Sequence, residues 1–144
     1  MKKLFAEQTD TLKVMTYATD IRPITSPIPL SQALEGVQDV DWLLCPDTEL
    51  PVSGVSVSSI DIEDHWLFVA IPGLVQHGIR FLHAAVEAGA TAVVTDREGS
   101  ERAREMNPDI PIVVVADPRC ASATIAANIY RHPASALKTA AVTG

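Results

Sequence analysis

The sequence predicts an α/β fold in which a mostly parallel sheet is flanked by helices. Residues 66–71 form a short, almost wholly apolar run, which is typical of a strand covered on both faces. Residues 79–88 then carry apolar side chains at helical spacing, and residues 91–95 again favour a strand. Because parallel sheets bind ligands at the carboxyl ends of their strands, the loop after residue 71 is a candidate site.

Length and composition indicate a single globular domain. The chain has 144 residues, of which 47% are apolar and 20% charged, enough to bury a core. No apolar run reaches the roughly 20 residues that a membrane span needs, so we expect a cytoplasmic protein without a membrane partner. The net charge of −7 argues against nucleic acid as a partner. A phosphorylated small ligand stays compatible, since backbone N–H groups bind phosphate without net positive charge.

The first 50 residues are expected to form an arm and a short helix within the same domain. Residues 1–27 show no sustained period and are interpreted as a partly extended arm. Residues 29–34 predict a short helix that ends near Gly36, because proline is well tolerated in a first helical turn. Residues 37–50 show no consistent helix or strand pattern.

Residues 51–136 carry the predicted α/β domain. Residues 52–57 alternate apolar and small polar side chains, which favours a half-buried strand. The helix predicted over residues 79–88 should end at Gly89, which suits a left-handed cap. Its apolar face should comprise Ile79, Leu82 and Val86.

The last third of the chain repeats the pattern. Residues 97–107 are strongly charged and predict an exposed helix, and residues 111–115 predict another buried strand. Residues 117–131 predict a helix, because an aspartate at the N-cap is followed by proline at the first helical position. Residues 137–144 begin a new strand and turn, so we expect the sequence to continue in a longer protein.

The residues contain no convincing catalytic set and no metal site. Cys45 and Cys120 lack metal-ligand spacing and are expected to be reduced thiols, one or both partly buried. His77, in the loop entering the central helix, is the histidine best placed for ligand contact, although a structural role is the simpler interpretation. Ser58 and Ser59 are interpreted as strand-end hydroxyls that satisfy local backbone groups. Three carboxylates lie between the strands predicted at residues 52–57 and 66–71, namely Asp61, Glu63 and Asp64, and no partner base for catalysis is apparent.

The chain offers instead a geometry that suits a nucleotide or a sugar phosphate. The loop after Val57, the loop after Ile71 and a helix N-terminus near Gly78 should meet at one edge of the sheet.

Several segments, in this order and spacing, resemble the N-terminal domain of the Mur ligase family, MurE type. They are VSVSS at 55–59, LFVAIPG at 67–73, AGATAVV at 88–94, PIVVVADPR at 111–119 and YRHPAS at 130–135. The family continues with a phosphate loop of the form Thr-Gly-Thr-Asn-Gly-Lys-Thr, and residues 142–144 resemble its opening. The His-Pro element at 132–133 favours the MurE type over the D-alanyl-D-alanine-adding type.

The resemblance implies an ATP- and Mg²⁺-dependent amide ligase of peptidoglycan synthesis. The whole enzyme would phosphorylate the terminal carboxylate of UDP-MurNAc-L-Ala-D-Glu, and the amine of meso-diaminopimelate or L-lysine would displace phosphate. This chain would bind the UDP end, while residues 137–144 would begin the central ATPase domain. No catalytic residue and no bound cofactor is expected in this part of the enzyme.

The resemblance also implies site residues. Val57 and Ser59 would line the uridine site, and Leu74, Val75 and Gln76 would contact uracil and diphosphate. The first glycine of the ATP loop would be Gly144.

The chain also departs from the family pattern. It has Ser58-Ser59-Ile60 for Asp-Ser-Arg, His65-Trp66 for Gly-Asp, and His77-Gly78-Ile79 for Asp-Gly-His. Loss of the arginine weakens a side-chain contact with phosphate and leaves the backbone amides and Ser59. A divergent Mur ligase paralogue, such as the D-Ala-D-Ala-adding type, and a non-catalytic nucleotide-sugar-binding module are the alternatives.

Overall fold

The computed structural model describes residues 25–43, 47–106 and 108–131. The strands are β1 (Ile28–Pro29), β2 (Asp41–Trp42), β3 (Pro51–Val52), β4 (Gly54–Ser56), β5 (Trp66–Ala70), β6 (Ala92–Thr95) and β7 (Ile112–Val114). The α-helices are α1 (Leu30–Ala33), α2 (Leu82–Glu87), α3 (Arg97–Met106) and α4 (Pro118–Ile129). Short 3-10 turns occupy Ser59–Asp61 and Gly78–Phe81.

The main sheet has five strands in the order β2-β7-β6-β5-β4. Strands β4 to β7 are parallel, and each pairs with the next one along the chain. Strand β2 pairs antiparallel with β7 at one edge, and β1 and β3 form a separate antiparallel pair. The predicted fold class, a mostly parallel sheet with flanking helices, is therefore confirmed.

Two apolar clusters, one on each face of the sheet, form the core. On one face α1 and α4 pack over Leu67 and Val69, while on the other α2 and α3 pack over Phe68 and Ala70. Successive residues of β5 thus face opposite layers, and all five are buried. This two-sided burial explains why the strand is apolar at every position.

The central helix starts later than the sequence predicts. A 3-10 turn at Gly78–Phe81 precedes α2, whose first residue is Leu82. The predicted apolar face is correct at Ile79 and Leu82, which are buried, whereas Val86 is only partly buried. Gly89 has a φ of +108°, which confirms the left-handed cap.

The predicted strand at residues 52–57 is divided at Ser53. Val52 pairs with Ile28 in the small ladder, whereas Gly54 pairs with Trp66 in the main sheet. The indole ring of Trp66 covers Gly54 so closely that a Cβ there would overlap it. The sequence alternation predicted a strand here, but the strand ends at Ser56 and leaves Val57 exposed. Local alternation also could not show that the chain changes sheets.

The two C-terminal helices agree with the prediction. Helix α3 ends at Met106, and Gly99, Ser100 and Ala103 form its buried face. In α4 the Asp117 carboxylate accepts from the N–H groups of Arg119 (2.9 Å) and Cys120 (3.2 Å), which is the predicted N-cap.

The short helix α1 and the positive φ of Gly36, +79°, match the prediction for residues 29–36. Strand β2 was not predicted, because two residues at a sheet edge leave no periodic signal. Most of the predicted arm, residues 1–24, and all of residues 132–144 lie outside the described residues. In the described ranges, no helix is long and apolar enough to cross a membrane.

A non-glycine residue occupies the tight turn before β5. His65 has a φ of +66°, its side chain is exposed, and its backbone N–H donates to the carbonyl of Gly89 at 3.2 Å. The left-handed region is unfavourable for residues with a Cβ. The backbone hydrogen bond therefore holds His65 in a conformation that glycine would adopt without steric strain.

Replacing His65 by glycine should stabilise the fold. The free energy of unfolding should rise by about 0.5 to 1 kcal/mol. Glycine relieves the strain of the left-handed conformation, but its unfolded chain has a larger conformational entropy, which cancels part of the gain. Urea unfolding would measure it, with His83→Gly as control. His83 is also exposed but lies inside α2, where glycine should lower the free energy of unfolding by a few tenths of a kcal/mol. If the free energy of unfolding changed in the same direction in both variants, this account would be contradicted.

Candidate functional site

The loops after β4 and β5 leave the sheet side by side at its carboxyl edge. The two strands are adjacent and parallel, with Ser56 opposite Phe68. Val57, directly after β4, is 54% exposed, and the tip of the next loop is fully exposed at Leu74 and Val75. The sequence-predicted nucleotide residues 57, 59 and 74–76 therefore all lie on these two loops, and Gly144 lies outside the described residues.

The loop after β5 is closed by backbone hydrogen bonds. Pro72 and His77 form an isolated antiparallel bridge. Gly73 N–H donates to the carbonyl of Gln76 at 3.2 Å, and Gly78 N–H donates to the carbonyl of Ile71 at 2.9 Å. A Cβ at position 73 would lie 2.5 Å from the Gln76 oxygen, so the closure requires glycine there.

His77 anchors this loop from inside the protein. Its side chain is almost fully buried, and Nδ1 accepts from the N–H of Ile79 at 3.1 Å. Since that N–H can only donate, Nδ1 carries no proton and Nε2 is the protonated nitrogen. Nε2 lies 2.9 Å from Oδ1 of Asp96 and donates to it. Both ring nitrogens are occupied by the protein, so the structural interpretation of His77 is correct.

Asp96 is the partner that the sequence analysis missed. The same Oδ1 also accepts from Gly99 N–H at 2.8 Å, so one carboxylate holds His77 and the first turn of α3 together. A Cβ on Gly99 would overlap the Thr95 hydroxyl and approach the His77 ring. The signal available in the sequence was an aspartate between a predicted strand and a predicted helix, which is typical of an N-cap.

The free backbone N–H groups lie at the loop tip. Among the described residues, no acceptor faces the N–H of Leu74, Val75 or Gln76. The expectation of an anion site at a helix N-terminus near Gly78 is wrong. The N–H groups of Gly78, Ile79 and Arg80 are already bonded to Ile71 or His77, and the segment begins as a 3-10 turn.

The serines at and after the end of β4 have different roles. The hydroxyl of Ser56, the last residue of β4, accepts from Ser58 N–H at 3.0 Å, so the side chain that satisfies the local backbone is that of Ser56 and not that of Ser58 or Ser59. Ser59 begins the 3-10 turn that packs on α2, and its hydroxyl bonds to none of the described residues. Ile60, where the family pattern has arginine, is 91% exposed.

Two open clefts lie further along the edge, beside β7. One, of about 290 Å³, lies between the loop at residues 36–39 and the start of α4. The other, of about 420 Å³, lies between β2 and α3. Asp39, Asp41 and Glu101 line the second cleft together with Arg97 and Arg104, so its charges favour neither an anion nor a cation.

Cys120, in the smaller cleft, is an exposed free cysteine. Its hydrogen bond to Asp117 raises the pKa of the thiol and lowers the pKa of the carboxyl group. Cys45 lies outside the described residues. Across residues 25–43, 47–106 and 108–131, no three His, Cys, Asp or Glu side chains are grouped as a metal site.

Comparisons with known proteins agree with each other. A family model described as "Mur ligase family, catalytic domain" matches residues 51–130. The UDP-N-acetylmuramoyl-L-alanyl-D-glutamate–2,6-diaminopimelate ligase of Streptomyces coelicolor is 35% identical over 131 residues, covering 90% of this chain and 25% of that protein. The protein of the same name from Caldanaerobacter subterraneus subsp. tengcongensis is 40% identical over 93 residues, covering 65% of this chain and 18% of that protein. The UDP-N-acetylmuramyl-tripeptide synthetase of Leifsonia xyli subsp. xyli is 37% identical over 125 residues, covering 85% of this chain and 23% of that protein.

Solved structures show the same fold. A crystal structure of MurF from Acinetobacter baumannii matches with a TM-score of 0.58 at 21% identity, covering 78% of this chain and 23% of that one. At this identity the likeness concerns the fold alone. The chain spans about a quarter or less of the length of these relatives.

Removing the His77 ring should destabilise the protein strongly. In His77→Ala, Asp96 loses its donor and the Ile79 N–H loses its acceptor, which should lower the free energy of unfolding by about 2 to 3 kcal/mol. His77→Asn should recover part of this loss, because its amide oxygen can accept from the Ile79 N–H. Urea unfolding would compare both with His83→Ala, an exposed histidine on α2. An equal, small effect of both alanine substitutions would contradict the anchoring role.

Proposed function

Because the chain belongs to the Mur ligase family, we propose that it binds the UDP end of a UDP-MurNAc-peptide substrate. The observation that carries this proposal is the loop at residues 72–77. Backbone bonds and the buried His77 hold the base of the loop, while no acceptor among the described residues pairs with the three consecutive N–H groups at its tip. Fixed, unpaired amides are suited to phosphate oxygens in a protein of net charge −7.

The roles we propose follow from exposure and chemistry. Val57 would provide an apolar surface for the uracil ring, and the free hydroxyl of Ser59 would bind the nucleoside. Leu74, Val75 and Gln76 would bind the diphosphate through backbone N–H groups. The exposed side chains of Leu74 and Val75 would then contact the base or the sugar.

The reaction that we propose for the whole protein is ATP-dependent amide formation, in the cytoplasm, during peptidoglycan synthesis. ATP would transfer its γ-phosphoryl group to the terminal carboxylate of UDP-MurNAc-L-Ala-D-Glu, leaving ADP. The amine of the third amino acid would attack this acyl phosphate, forming an amide and releasing phosphate. ATP and Mg²⁺ would be bound by the central domain that residues 137–144 begin, with Gly144 at the start of the ATP loop.

The third amino acid that we propose first is 2,6-diaminopimelate, since the Streptomyces and Caldanaerobacter relatives are named for it. L-lysine is the alternative, because the Leifsonia relative is named only as a tripeptide synthetase. The D-Ala-D-Ala-adding type has less support. Its solved structures are only 21–22% identical to this chain, whereas the relatives above are 35–40% identical.

Calorimetry with UDP tests the proposal. The folded chain should bind UDP or UDP-MurNAc at up to millimolar concentration, and Ser59→Ala should weaken binding about three- to tenfold through loss of one hydrogen bond. The control is Ser122→Ala, whose hydroxyl bonds to the Arg119 carbonyl on α4, across the sheet from the Ser59 turn. Folded protein that gives no heat with either ligand would reject the proposal.

A further inference from the structure

Arg80 stands out as an isolated positive charge beside the proposed nucleotide loop. It is the only lysine or arginine between Arg22 and Arg97. It lies in the 3-10 turn at Gly78–Phe81, four residues after Gln76, which ends the loop tip, and its side chain is exposed. The connection between β4 and β5, by contrast, carries three carboxylates and no cation.

The Arg80 guanidinium is directed back toward the loop. Nη1 donates to the side-chain oxygen of Gln76, and the guanidinium carbon lies 5.3 Å from the centre of the Phe81 ring. These two contacts restrain a side chain that would otherwise be free in solvent. The hydrogen bond to Gln76 uses one of the five guanidinium N–H donors, so the other four remain available to a ligand.

No carboxylate neutralises this charge within the described part of the chain. Arg102, for comparison, pairs with Glu98 at 2.6 Å on α3. Arg97 and Arg104 line the cleft beside β7 together with acidic side chains. Arg80 is thus the cation held next to the free N–H groups of Leu74, Val75 and Gln76.

We propose that Arg80 binds the diphosphate group of the nucleotide, together with the three amides at the loop tip. This inference rests on the proposed function. The connection after β4 has no lysine or arginine and exposes Ile60, so the cation would come from the 3-10 turn that follows the loop after β5. A planar guanidinium suits this task because two of its donors can contact phosphate oxygens at once. Gln76 then contributes its backbone N–H to the ligand and its side-chain oxygen to Arg80.

The test compares UDP with uridine, which lacks the phosphates, by calorimetry on the 144-residue chain at low ionic strength. Wild type should bind UDP more tightly than uridine. Arg80→Gln should weaken UDP binding about tenfold or more, as expected for loss of a charge-assisted hydrogen bond, and leave uridine binding unchanged. Arg80→Lys should retain part of the preference for UDP, since it keeps the charge but not the planar fork.

The matched control is Arg102→Gln, which removes one exposed positive charge from α3 and should leave both affinities unchanged. Equal UDP binding by wild type and Arg80→Gln would overturn the role of Arg80 alone. Parallel losses of UDP and uridine binding would overturn it too, because Arg80 would then act on loop shape. A wild-type chain that binds neither ligand would reject the proposed function itself.

Discussion

One partly buried contact anchors the base of the candidate site. The imidazole of His77 joins the loop after β5 to the Asp96 carboxylate at the start of α3, and its second nitrogen caps the turn leading to α2. Polar groups in such an environment are stable only when fully paired. These hydrogen bonds attach the base of the loop to α3 and to the turn before α2. Its free amides can be preorganised without help from their own side chains, which point to solvent.

The same contact explains why two glycines are needed. Gly99 leaves room for the imidazole against α3, and Gly73 allows the loop to close on the Gln76 carbonyl. Both are required by close approach rather than by an unusual φ. Together they let a short segment turn back on itself beside a packed helix. The sheet edge thus presents main-chain donors where an acidic protein has few positive side chains.

The proposed nucleotide chemistry fits this distribution of charge. The protein is acidic overall, so a site built from amides and a single guanidinium attracts phosphate without altering the rest of the surface. The histidine and tryptophan before β5 also have a structural explanation. His65 adopts a left-handed turn, where the family pattern has glycine, and Trp66 fills the space above Gly54. His65 ends the connection that follows β4, and Trp66 is the first residue of β5.

The sequence by itself determined the fold class, the four parallel strands, the caps at Gly89 and Asp117 and the family resemblance, which the family model confirms. These follow from local periodicity and turn chemistry, which short segments encode. Only the tertiary structure decided that the chain changes sheets at Ser53, that β2 forms an edge, and that His77 binds Asp96 nineteen residues away. It also showed that the N–H of Gly78 is already bonded to Ile71, so the N–H groups without an acceptor among the described residues are those of the loop tip. Such pairings depend on which groups the fold brings together, and no local pattern carries that information.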